Sequence, residues 1–407
     1  MSSEAIARRK SLQSHIDTPI FQTPFQPRID TASRREDWYV WSGYKSAHAL
    51  TDEEMEYTAM RNAAGVFDVS PMNKYRISGP DAEGFLDYVM VRNVAKLGVD
   101  RVHYTCWCDD FGHVIDDGTL FRFAADRFRL CCQEKQYDWL TNSAVGFDVE
   151  IAEETHSVAA LALQGPTSCR ILREAGFEGI ESVKPFQIVH YPHENGTVTI
   201  SRTGFTGDLG YELWVPNELA LSLWDRLFAA GAAHGILPVG YAALNQCRIE
   251  TAFIVPNSDF MTADHVLRPD RARMPDEIGL DWLVDPEKPN FNGRRAIMAA
   301  RKRKTLKHVL VGLEVEGNVP ADGALVYHRK VKEAGIVTAG VWSPIGKRNV
   351  AIASLDRPYG SEITEDLWVE IYALREGRYQ KMMKRVRIVP RPFVKLDRRT
   401  RTPPADF

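Results

Sequence analysis

The stretch TVTISRTGFTGDLGYELWVP, residues 197–216, indicates most directly how this chain folds. Its two ends, TVTISRT and YELWVP, are rich in β-branched and aromatic residues, and the segment between them holds the glycines Gly204, Gly207 and Gly210. Strand-forming runs separated by a glycine-rich segment are typical of two antiparallel strands joined by a turn. The stretch therefore predicts a β-hairpin.

Helices are predicted on both sides of this hairpin. Downstream, apolar residues recur at helical spacing over residues 219–228, and a second helix is predicted over residues 242–251. Upstream, Pro80 and Asp81 open another helix, and Thr51 with Glu54 forms a T-x-x-E capping box. Because helices and strands follow each other in mixed order, we expect an α+β fold and not a doubly wound parallel sheet.

The end of the sequence has a different character. Strand-like runs follow residue 307, namely HVLVGLEV, GIVTAGVW, VAIASLD, LWVEIYAL and KRVRIVPR, and turn residues separate them. This pattern predicts a small antiparallel barrel or sandwich as a C-terminal domain over residues 305–407. Residues 1–50 are predicted to form an N-terminal arm, and residues 51–300 to form two interwoven α+β subdomains.

The composition is that of an ordinary globular protein, with 407 residues of which 44% are hydrophobic and 26% charged. The formal net charge of -3 gives no general attraction to nucleic acid or to an anionic membrane. No stretch approaches the roughly 18 apolar residues of a membrane span, and the first residues lack the apolar core of a signal peptide. We therefore expect a cytoplasmic protein without nucleic-acid or membrane partners.

The cysteines occur as C-x-C at 106–108, as C-C at 131–132, and singly as Cys169 and Cys247. These spacings match neither a disulfide framework nor a zinc site, and the histidines form neither H-x-x-x-H nor H-E-x-x-H. We expect buried reduced thiols and no metal.

Two adjacent carboxylates, Asp116 and Asp117, follow the apolar pair Val114 and Ile115 and precede the strand-like run GTLFRF. Neighbours on an extended chain point to opposite faces, so only one of the two acids can face a given pocket. A catalytic acid and a solvated turn pair are both open interpretations. On spacing alone the turn pair is the commoner case, because perturbed catalytic carboxylates are a minority of all aspartates.

The turn of the predicted hairpin also carries chemical groups. Its glycines would let the backbone approach a ligand closely, and Glu212 could accept hydrogen bonds from the N–H groups of a heterocycle. An ordinary glycine-rich hairpin is the alternative interpretation, and the lack of G-K-[ST] excludes a phosphate loop. In the helix that ends with CRIE, Arg248 and Glu250 lie on different faces, so structural pairing or a buried anchor is expected of Arg248.

Taken in order, several motifs resemble the glycine-cleavage T-protein (aminomethyltransferase) family, including its folate-dependent demethylase branches. They are GVFDVSPM, Tyr104 followed by GHVIDDG, ALQGP, TGFTGDLGYE, CRIE and FNGRRAI, which together cover residues 60–300. The resemblance implies a three-lobed ring of folate-binding α+β subdomains whose central hole takes tetrahydrofolate. It also implies that the C-terminal domain is an antiparallel β-barrel.

By this resemblance, Asp116 holds the position of the acid near the folate nitrogen that receives the carbon. Asp117 matches the acid of the aromatic O-demethylases, and Glu212 matches the acid that binds the pteridine ring. The resemblance further implies that the folate site includes Met72, Tyr104, Phe205, Tyr211 and Arg248.

Two departures from the T-protein pattern favour the demethylase branches. Leu244 stands where glycine-cleavage T-proteins usually carry an arginine, and the segment 254–273, with its insertion, resembles dimethylsulfoniopropionate demethylase. We therefore expect a tetrahydrofolate-dependent demethylase acting on a small methylated sulfonium, amine or aryl ether. The alternatives are an aminomethyltransferase that works with a lipoyl carrier protein, and a folate-binding protein without transfer activity.

A cationic methyl donor would favour an aromatic cage, because an ammonium or sulfonium group is attracted to the face of an aromatic ring. Plain core packing is the commoner role for any one aromatic residue. The candidates for such a substrate pocket are Trp38, Tyr39, Trp41, Tyr44 and Trp107.

Overall fold

The computed structural model describes residues 20–401; residues 1–19 of the predicted N-terminal arm and residues 402–407 lie outside this part. Its helices are α1 (Gln26–Ala32), α2 (Glu53–Asn62), α3 (Ala82–Val89), α4 (Tyr137–Ser143), α5 (Ser168–Glu174), α6 (Ala220–Gly231), α7 (Tyr241–Glu250) and α8 (Arg294–Arg303). Its strands are β1 (Asp37–Trp41), β2 (Tyr44–Ala49), β3 (Ala64–Asp68), β4 (Asn73–Ser78), β5 (Arg101–Cys108), β6 (Val114–Ala124), β7 (Arg127–Cys132), β8 (Glu150–Glu153), β9 (Val158–Gln164), β10 (Ile188–His193), β11 (Gly196–Ser201), β12 (Gly210–Pro216), β13 (Ile236–Pro238), β14 (His308–Val315), β15 (Leu325–His328), β16 (Lys332–Ser343), β17 (Arg348–Asp356), β18 (Leu367–Arg375) and β19 (Arg378–Val389).

These strands form a body with two sheets, and a barrel. The first sheet has the strand order β10-β11-β12-β9-β3-β13, and the second sheet has the order β5-β6-β7-β4-β8. Strands β14 to β19 close into an antiparallel barrel, and β1 and β2 form a separate hairpin. The predictions of an α+β fold and of a C-terminal antiparallel barrel are confirmed.

The predicted β-hairpin lies within the first sheet, where β11 and β12 pair antiparallel with Ser201 opposite Glu212. Side chains alternate along β12: Leu213 and Val215 pack into the core under α5 and α6, whereas Trp214 packs on the other face. Every second side chain of a strand points to the same face. Glu212 therefore lies on the face of Trp214, away from the core under the helices.

The faces of the two sheets that carry Trp214 and Phe121 lie opposite each other. The rings of these two residues meet edge to face, with their centroids 5.2 Å apart. One apolar cluster joins Phe67 and Trp214 of the first sheet to Phe121 and Cys131 of the second. We call the space between these two faces the inter-sheet gap, and the turn of residues 69–72 crosses from one sheet to the other beside it.

Helix α2 is capped by Asp52 and not by Thr51. The Oδ1 atom of Asp52 accepts hydrogen bonds from the backbone N–H groups of Glu54 and Met55, each at 3.0 Å. The backbone N–H of Thr51 donates to the carboxylate of Glu56 at 2.6 Å. The predicted T-x-x-E capping box is wrong because an aspartate, which caps at least as well as threonine, stands one residue later.

All six cysteines are buried free thiols, as their spacing predicted. Burial raises the pKa of Cys131 to about 12, which keeps this thiol protonated. Among residues 20–401, no helix has the length and apolar character needed to cross a bilayer.

Candidate active site

The pleat of β6 sends the two adjacent aspartates to different faces. Asp117 and Phe121 share one face of the strand, and Phe121 belongs to the apolar cluster of the inter-sheet gap. Asp116 is paired across the sheet with Trp107, which packs in the core behind the second sheet. Asp116 is 0% exposed and Asp117 is 8% exposed. Because neighbours on a strand alternate, Asp117 faces the gap and Asp116 faces away from it.

Asp116 is hydrogen-bonded to the backbone on both sides. Its oxygens accept from the backbone N–H of Asp117 at 2.8 Å and from that of Glu134 at 2.9 Å. Burial, followed by repulsion from Asp117, raises the pKa of Asp116 well above its ordinary value. These contacts join β6 to the segment that follows β7.

Among the described residues, Asp117 has one side-chain partner, the hydroxyl of Tyr104, which donates to its Oδ2 atom. Burial raises the pKa of Asp117 to about 6, although the hydrogen bond from Tyr104 acts in the opposite direction. Burial and the charge of Asp117 raise the pKa of Tyr104, so the phenol keeps its proton. An acid that titrates near pH 6 is a better proton acceptor than an ordinary aspartate and is still ionised at neutral pH.

Glu212 faces the gap from the first sheet. Its Oε2 atom accepts a hydrogen bond from the hydroxyl of Thr203 at 2.6 Å, and among the described residues Oε1 has no hydrogen-bond partner. Burial raises the pKa of Glu212 to about 7, and its charge contributes to the raised pKa of Cys131 in the second sheet. The gap thus has one carboxylate on each side, and that of Glu212 has an oxygen available to a ligand.

The glycine-rich loop is packed against Gln164 of β9. A Cβ atom at Gly204 or Gly210 would overlap the amide group of Gln164, so glycine is required at both positions. The same amide donates to the carbonyl of Thr203 at 3.3 Å. These glycines serve close packing within the protein, and that packing fixes Thr203 beside Glu212.

Met72 and Phe205 are half-buried and pack against the apolar cluster of the gap, as a lining role requires. Phe205 also stacks on Phe253, with ring centroids 5.5 Å apart. Leu244 of α7 belongs to the same cluster and is 6% exposed. Its position therefore brings an apolar side chain to the gap.

The structure gives Tyr211 and Arg248 other surroundings. Tyr211 points away from Glu212 into the core under α5 and α6, where it is fully buried. Arg248 is also buried, and its guanidinium donates to Asp259 at 2.5 Å. Asp259 in turn accepts from the hydroxyl of Thr338 in the barrel at 2.7 Å. Tyr211 thus packs the core, and Arg248 is a buried anchor between α7 and the segment that follows it.

Two of the aromatic candidates lie at the gap. Tyr39 and Trp41 share one face of β1 because they are two residues apart. Trp41 stacks on Phe67 with a centroid distance of 6.1 Å, and Tyr39 lies 5.3 Å from Tyr241 of α7. Trp41 and Tyr241 both pack against the cluster of the gap and remain partly accessible.

The other three aromatic candidates lie elsewhere. Trp38 packs against the core of the first sheet, and the ammonium of Lys45 stands 3.9 Å from the centroid of its ring. Tyr44 is buried and its hydroxyl contacts Nδ1 of His156 at 2.5 Å. Trp107 is fully buried in the core behind the second sheet. The structure does not bring these rings to the gap.

Several residues at the gap were not expected from the sequence. Thr203 immediately precedes the glycine-rich turn, but no motif marked its hydroxyl as the hydrogen-bond partner of Glu212. Tyr241 begins α7, and no motif marked it. Lys74 lies next to the first motif, but no spacing rule marked its side chain. None of these residues repeats with a period that a sequence pattern could detect.

One group of possible metal ligands occurs among residues 20–401, formed by Asp37, His48 and Glu53, whose ligand atoms lie within 4.8 Å of one another. His48 contacts Asp37 at 3.0 Å, and Arg35 pairs with Glu53 at 3.3 Å. The residues are partly or fully exposed and already have partners, so the group carries no catalytic assignment.

Both parts of the chain match known protein families. Residues 32–288 match the family described as GCVT N-terminal domain. Residues 308–395 match the family described as glycine cleavage T-protein C-terminal barrel domain. The boundary between the two matches falls just before β14, where the barrel begins.

Curated relatives cover most of this chain. An aminomethyltransferase of Caldanaerobacter subterraneus subsp. tengcongensis is 35% identical over 75% of this chain and 80% of its own length. An aminomethyltransferase of Chlorobaculum tepidum is 32% identical over 84% of this chain and 90% of its own length. The crystal structure of glycine cleavage system aminomethyltransferase T from Bartonella henselae matches with a TM-score of 0.79 at 24% identity, over 94% of this chain and 99% of that chain. This last likeness supports the fold.

Proposed function

The chain belongs to the glycine cleavage T-protein family, and on this premise we propose that it transfers a one-carbon unit to tetrahydrofolate bound in the inter-sheet gap. The relatives named aminomethyltransferase support a one-carbon transferase. The observation that carries the proposed site is the carboxylate of Glu212, which faces the gap with Oε1 unpaired among the described residues. Asp117 stands on the opposite sheet.

The residues of the gap fit a reduced pterin ring. Such a ring presents N–H and amino donors along one edge, and a carboxylate can pair with two adjacent donors. Glu212 offers this carboxylate, and the hydroxyl of Thr203 fixes its orientation. Hydrogen bonds to the charged form favour it, so ligand binding is expected to lower the pKa of Glu212 from about 7. Met72 and Phe205 supply apolar contacts for the ring faces.

Asp117 is assigned the role of general base. Tetrahydrofolate, when bound, supplies the amine that receives the carbon. The carboxylate of Asp117 takes up the proton that this amine loses, and the hydroxyl of Tyr104 holds the carboxylate in one orientation. Asp116, the other candidate, supports the strand from its opposite face, because both of its contacts are to backbone N–H groups.

The first candidate for the carbon donor is an aminomethyl group on a lipoyl carrier protein, because relatives at 31% to 35% identity bear the name aminomethyltransferase. In this reaction two N–C bonds form to the transferred carbon, while its C–S and C–N bonds break. The two hydrogens lost by the folate amines leave on the carrier thiol and on ammonia. Asp117 would move the proton from the first amine.

The second candidate is demethylation of a small methylated cation. It is favoured by the rings of Trp41 and Tyr241, which remain partly accessible at the gap, and by Leu244, which brings no charge there. In this reaction one N–C bond forms, and the bond from the methyl carbon to sulfur or nitrogen breaks. The neutral donor leaves with the bonding electron pair, and Asp117 takes the amine proton. Aromatic faces would stabilise the cation before transfer.

A product assay separates the two candidates. The protein is incubated with tetrahydrofolate and either an aminomethyl-loaded lipoyl carrier protein or a panel of methylated sulfoniums, amines and aryl ethers. Release of ammonia with methylene-tetrahydrofolate supports aminomethyl transfer, and methyl-tetrahydrofolate supports demethylation. The variant Asp117→Asn serves as the control that removes the proposed base.

The same assay can contradict the proposal. Binding of tetrahydrofolate without turnover of any donor would support a folate-binding protein without transfer activity and would overturn the proposed reaction. Absence of both binding and turnover would overturn the proposed site as well. Equal turnover by the wild type and Asp117→Asn would leave the reaction in place and remove Asp117 from it.

A further inference from the structure

Lys74 of β4 is a buried cation that forms no salt bridge with any described residue. The residue is 0% exposed, and among the described residues no carboxylate oxygen lies within the 4.0 Å of an ion pair. Its Nζ atom instead donates to the carbonyl oxygens of Ser70 and Met72, each at 2.7 Å. Burying an ammonium without an ion-pair partner costs free energy. Stability alone therefore does not account for a lysine at this position.

The two carbonyls belong to the turn of residues 69–72, which crosses from the first sheet to the second. Contacts on the side of the first sheet fix its beginning: the backbone N–H of Val69 donates to the carbonyl of Ala160 at 3.0 Å. The backbone N–H of Ser70 donates to Asp68 at 2.9 Å. The ammonium of Lys74 connects the turn to the second sheet through the carbonyls of Ser70 and Met72. Its ammonium therefore sets how far the end of the turn stands from that sheet.

The register of the second sheet places Lys74 on the face that lines the gap. Lys74 pairs with Cys131, Cys131 pairs with Thr119, and Thr119 pairs with Tyr104. Residues that pair directly across neighbouring strands share a face. The side chain of Lys74 thus lies on the same face as Tyr104, whose hydroxyl binds Asp117. Met72, whose carbonyl it holds, packs against the cluster of the gap.

We propose that Lys74 is a positioning residue of the ligand site, whose ammonium holds the crossover turn so that Met72 stands against the bound folate. This role rests on the proposed function. Lys74 does not touch the ligand itself, because its side chain is enclosed. It acts through the two carbonyls of the turn.

A consequence of this role is a limit to folate binding at alkaline pH. Burial, reinforced by the positive charge of Arg129, lowers the pKa of Lys74 to about 8, whereas Cys131, Asp68 and Glu154 act in the opposite direction. Above this pH the neutral amine donates more weakly to the carbonyls, because hydrogen bonds from a charged donor are the stronger ones. The turn then loosens and the affinity for folate falls.

The two carboxylates of the gap titrate on the acid side of Lys74. The pKa values of Glu212 and Asp117 are about 7 and about 6, so both carboxylates are ionised above pH 8. A decline in affinity above pH 8 is therefore separable from their titration.

The test is the variant Lys74→Met, with Arg76→Met as the matched control on the same strand. The dissociation constant of tetrahydrofolate is measured under reducing conditions from pH 6.5 to 9.5 by titration calorimetry, and folding is followed by circular dichroism. We expect Lys74→Met to raise the dissociation constant ~10-fold at pH 7, the loss of roughly one charge-assisted hydrogen bond. Its melting temperature should stay within a few degrees of the wild type, and Arg76→Met should bind like the wild type.

The pH profile distinguishes positioning from plain structural support. The wild-type dissociation constant should rise above pH 8, whereas that of Lys74→Met should not change there. If Lys74→Met binds as tightly as the wild type with the same pH profile, the role of Lys74 is overturned. If this variant does not fold, the pH profile of the wild type tests the role. A dissociation constant that rises above pH 8 with unchanged circular dichroism supports the role, and a dissociation constant that does not change with pH overturns it. A wild type that binds no tetrahydrofolate at any pH overturns the proposed function itself.

Discussion

At the scale of single residues, two adjacent acids on one strand meet different surroundings. Asp116 receives two backbone hydrogen bonds and is enclosed, while Asp117 receives one from a phenol and faces the gap. The difference arises from the pleat, because neighbouring side chains leave a strand in opposite directions. Identical side chains therefore have different surroundings, and the proposed function assigns the general base to Asp117 alone.

We predict that Asp117→Asn lowers kcat by about 10² to 10⁴-fold, the range for removal of a general base. Steady-state kinetics with tetrahydrofolate and the active donor would measure this. The matched variant Asp116→Asn should keep kcat near the wild-type value and lose about 1–3 kcal/mol of unfolding free energy, because asparagine satisfies the two backbone N–H groups less well. A larger loss of kcat in Asp116→Asn than in Asp117→Asn would reverse the assignment.

The pH dependence of stability is a second prediction at this scale. The pKa of Glu212 in the folded protein is about 7, above its ordinary value of 4.5, so the folded state binds the proton more tightly than the unfolded state. Stability therefore decreases as the pH rises from about 4.5 to about 7 and stays reduced above it. Glu212→Gln should remove this loss and stabilise the ligand-free protein at pH 8 by on the order of 2 kcal/mol.

Denaturant unfolding at pH 4.5 and pH 8 checks this prediction. At pH 4.5 the wild type and Glu212→Gln should have nearly equal stability. The exposed Glu218→Gln, a few residues along the chain, is the control and should change little at either pH. At pH 8 the same Glu212→Gln protein should bind tetrahydrofolate more weakly. If the stabilisation were independent of pH, the charge of Glu212 would not be its cause.

At the scale of elements, the sequence allowed the hairpin of β11 and β12 and the barrel strands to be predicted, because period-two alternation and turn residues are local properties. The sequence predicts the cap of α2 one residue too early, because Thr51 and Asp52 are both good capping residues. In the structure the backbone N–H of Thr51 donates to Glu56, and Asp52 caps the helix. Which faces of the two sheets lie opposite each other could not be predicted from the spacing of residues in the sequence, because it depends on pairing between distant strands.

The candidate site was predictable only in part for the same reason. The motifs singled out Asp116, Asp117 and Glu212, but which faces share a space is set by register between distant strands. Tyr211 illustrates the limit: it adjoins Glu212 in sequence and points into another core. The hydrogen bond from Thr203 to Glu212 and the two hydrogen bonds from Lys74 leave no periodic pattern in the sequence.

The third prediction concerns the segment that follows the barrel. Arg398 donates to both oxygens of Asp208, at 2.5 and 2.9 Å, and thereby clamps the glycine-rich loop. Arg398→Met should lower the unfolding free energy by about 1–3 kcal/mol, since Asp208 is buried but the arginine is partly exposed. Hydrogen exchange of residues 204–210 should become faster.

A matched control lies three residues further on. Arg401 pairs with Asp397 at 3.5 Å, and both side chains are largely exposed. Such a pair contributes about 0–1 kcal/mol, so Arg401→Met should leave both stability and loop exchange nearly unchanged. Equal effects of the two substitutions would mean that the clamp on Asp208 does not hold the loop.

At the scale of the whole molecule, one buried carboxylate joins three parts of the chain. Glu250 of α7 accepts hydrogen bonds from Tyr57 of α2 at 2.7 Å and from Ser343 of the barrel at 2.6 Å. Arg61 of α2 forms an ion pair with it at 2.6 Å. Arg61 also lies 3.5 Å from Asp208 of the glycine-rich loop. The body and the barrel therefore share a charged, buried junction.

The last prediction is that this junction makes the body and the barrel unfold together. Arg61→Met would leave Glu250 buried without an opposite charge, which costs about 3–5 kcal/mol when one partner of a buried pair is removed. Because Glu250 also holds Ser343, the loss should lower the stability of the barrel strands as well as that of the body, and calorimetry should show one transition at a lower temperature. The control Arg76→Met breaks only partly exposed pairs and should shift the transition little. If hydrogen exchange showed β14 to β19 protected as in the wild type while the body of Arg61→Met exchanged freely, the junction would stabilise the body alone, and the barrel would be an independent folding unit.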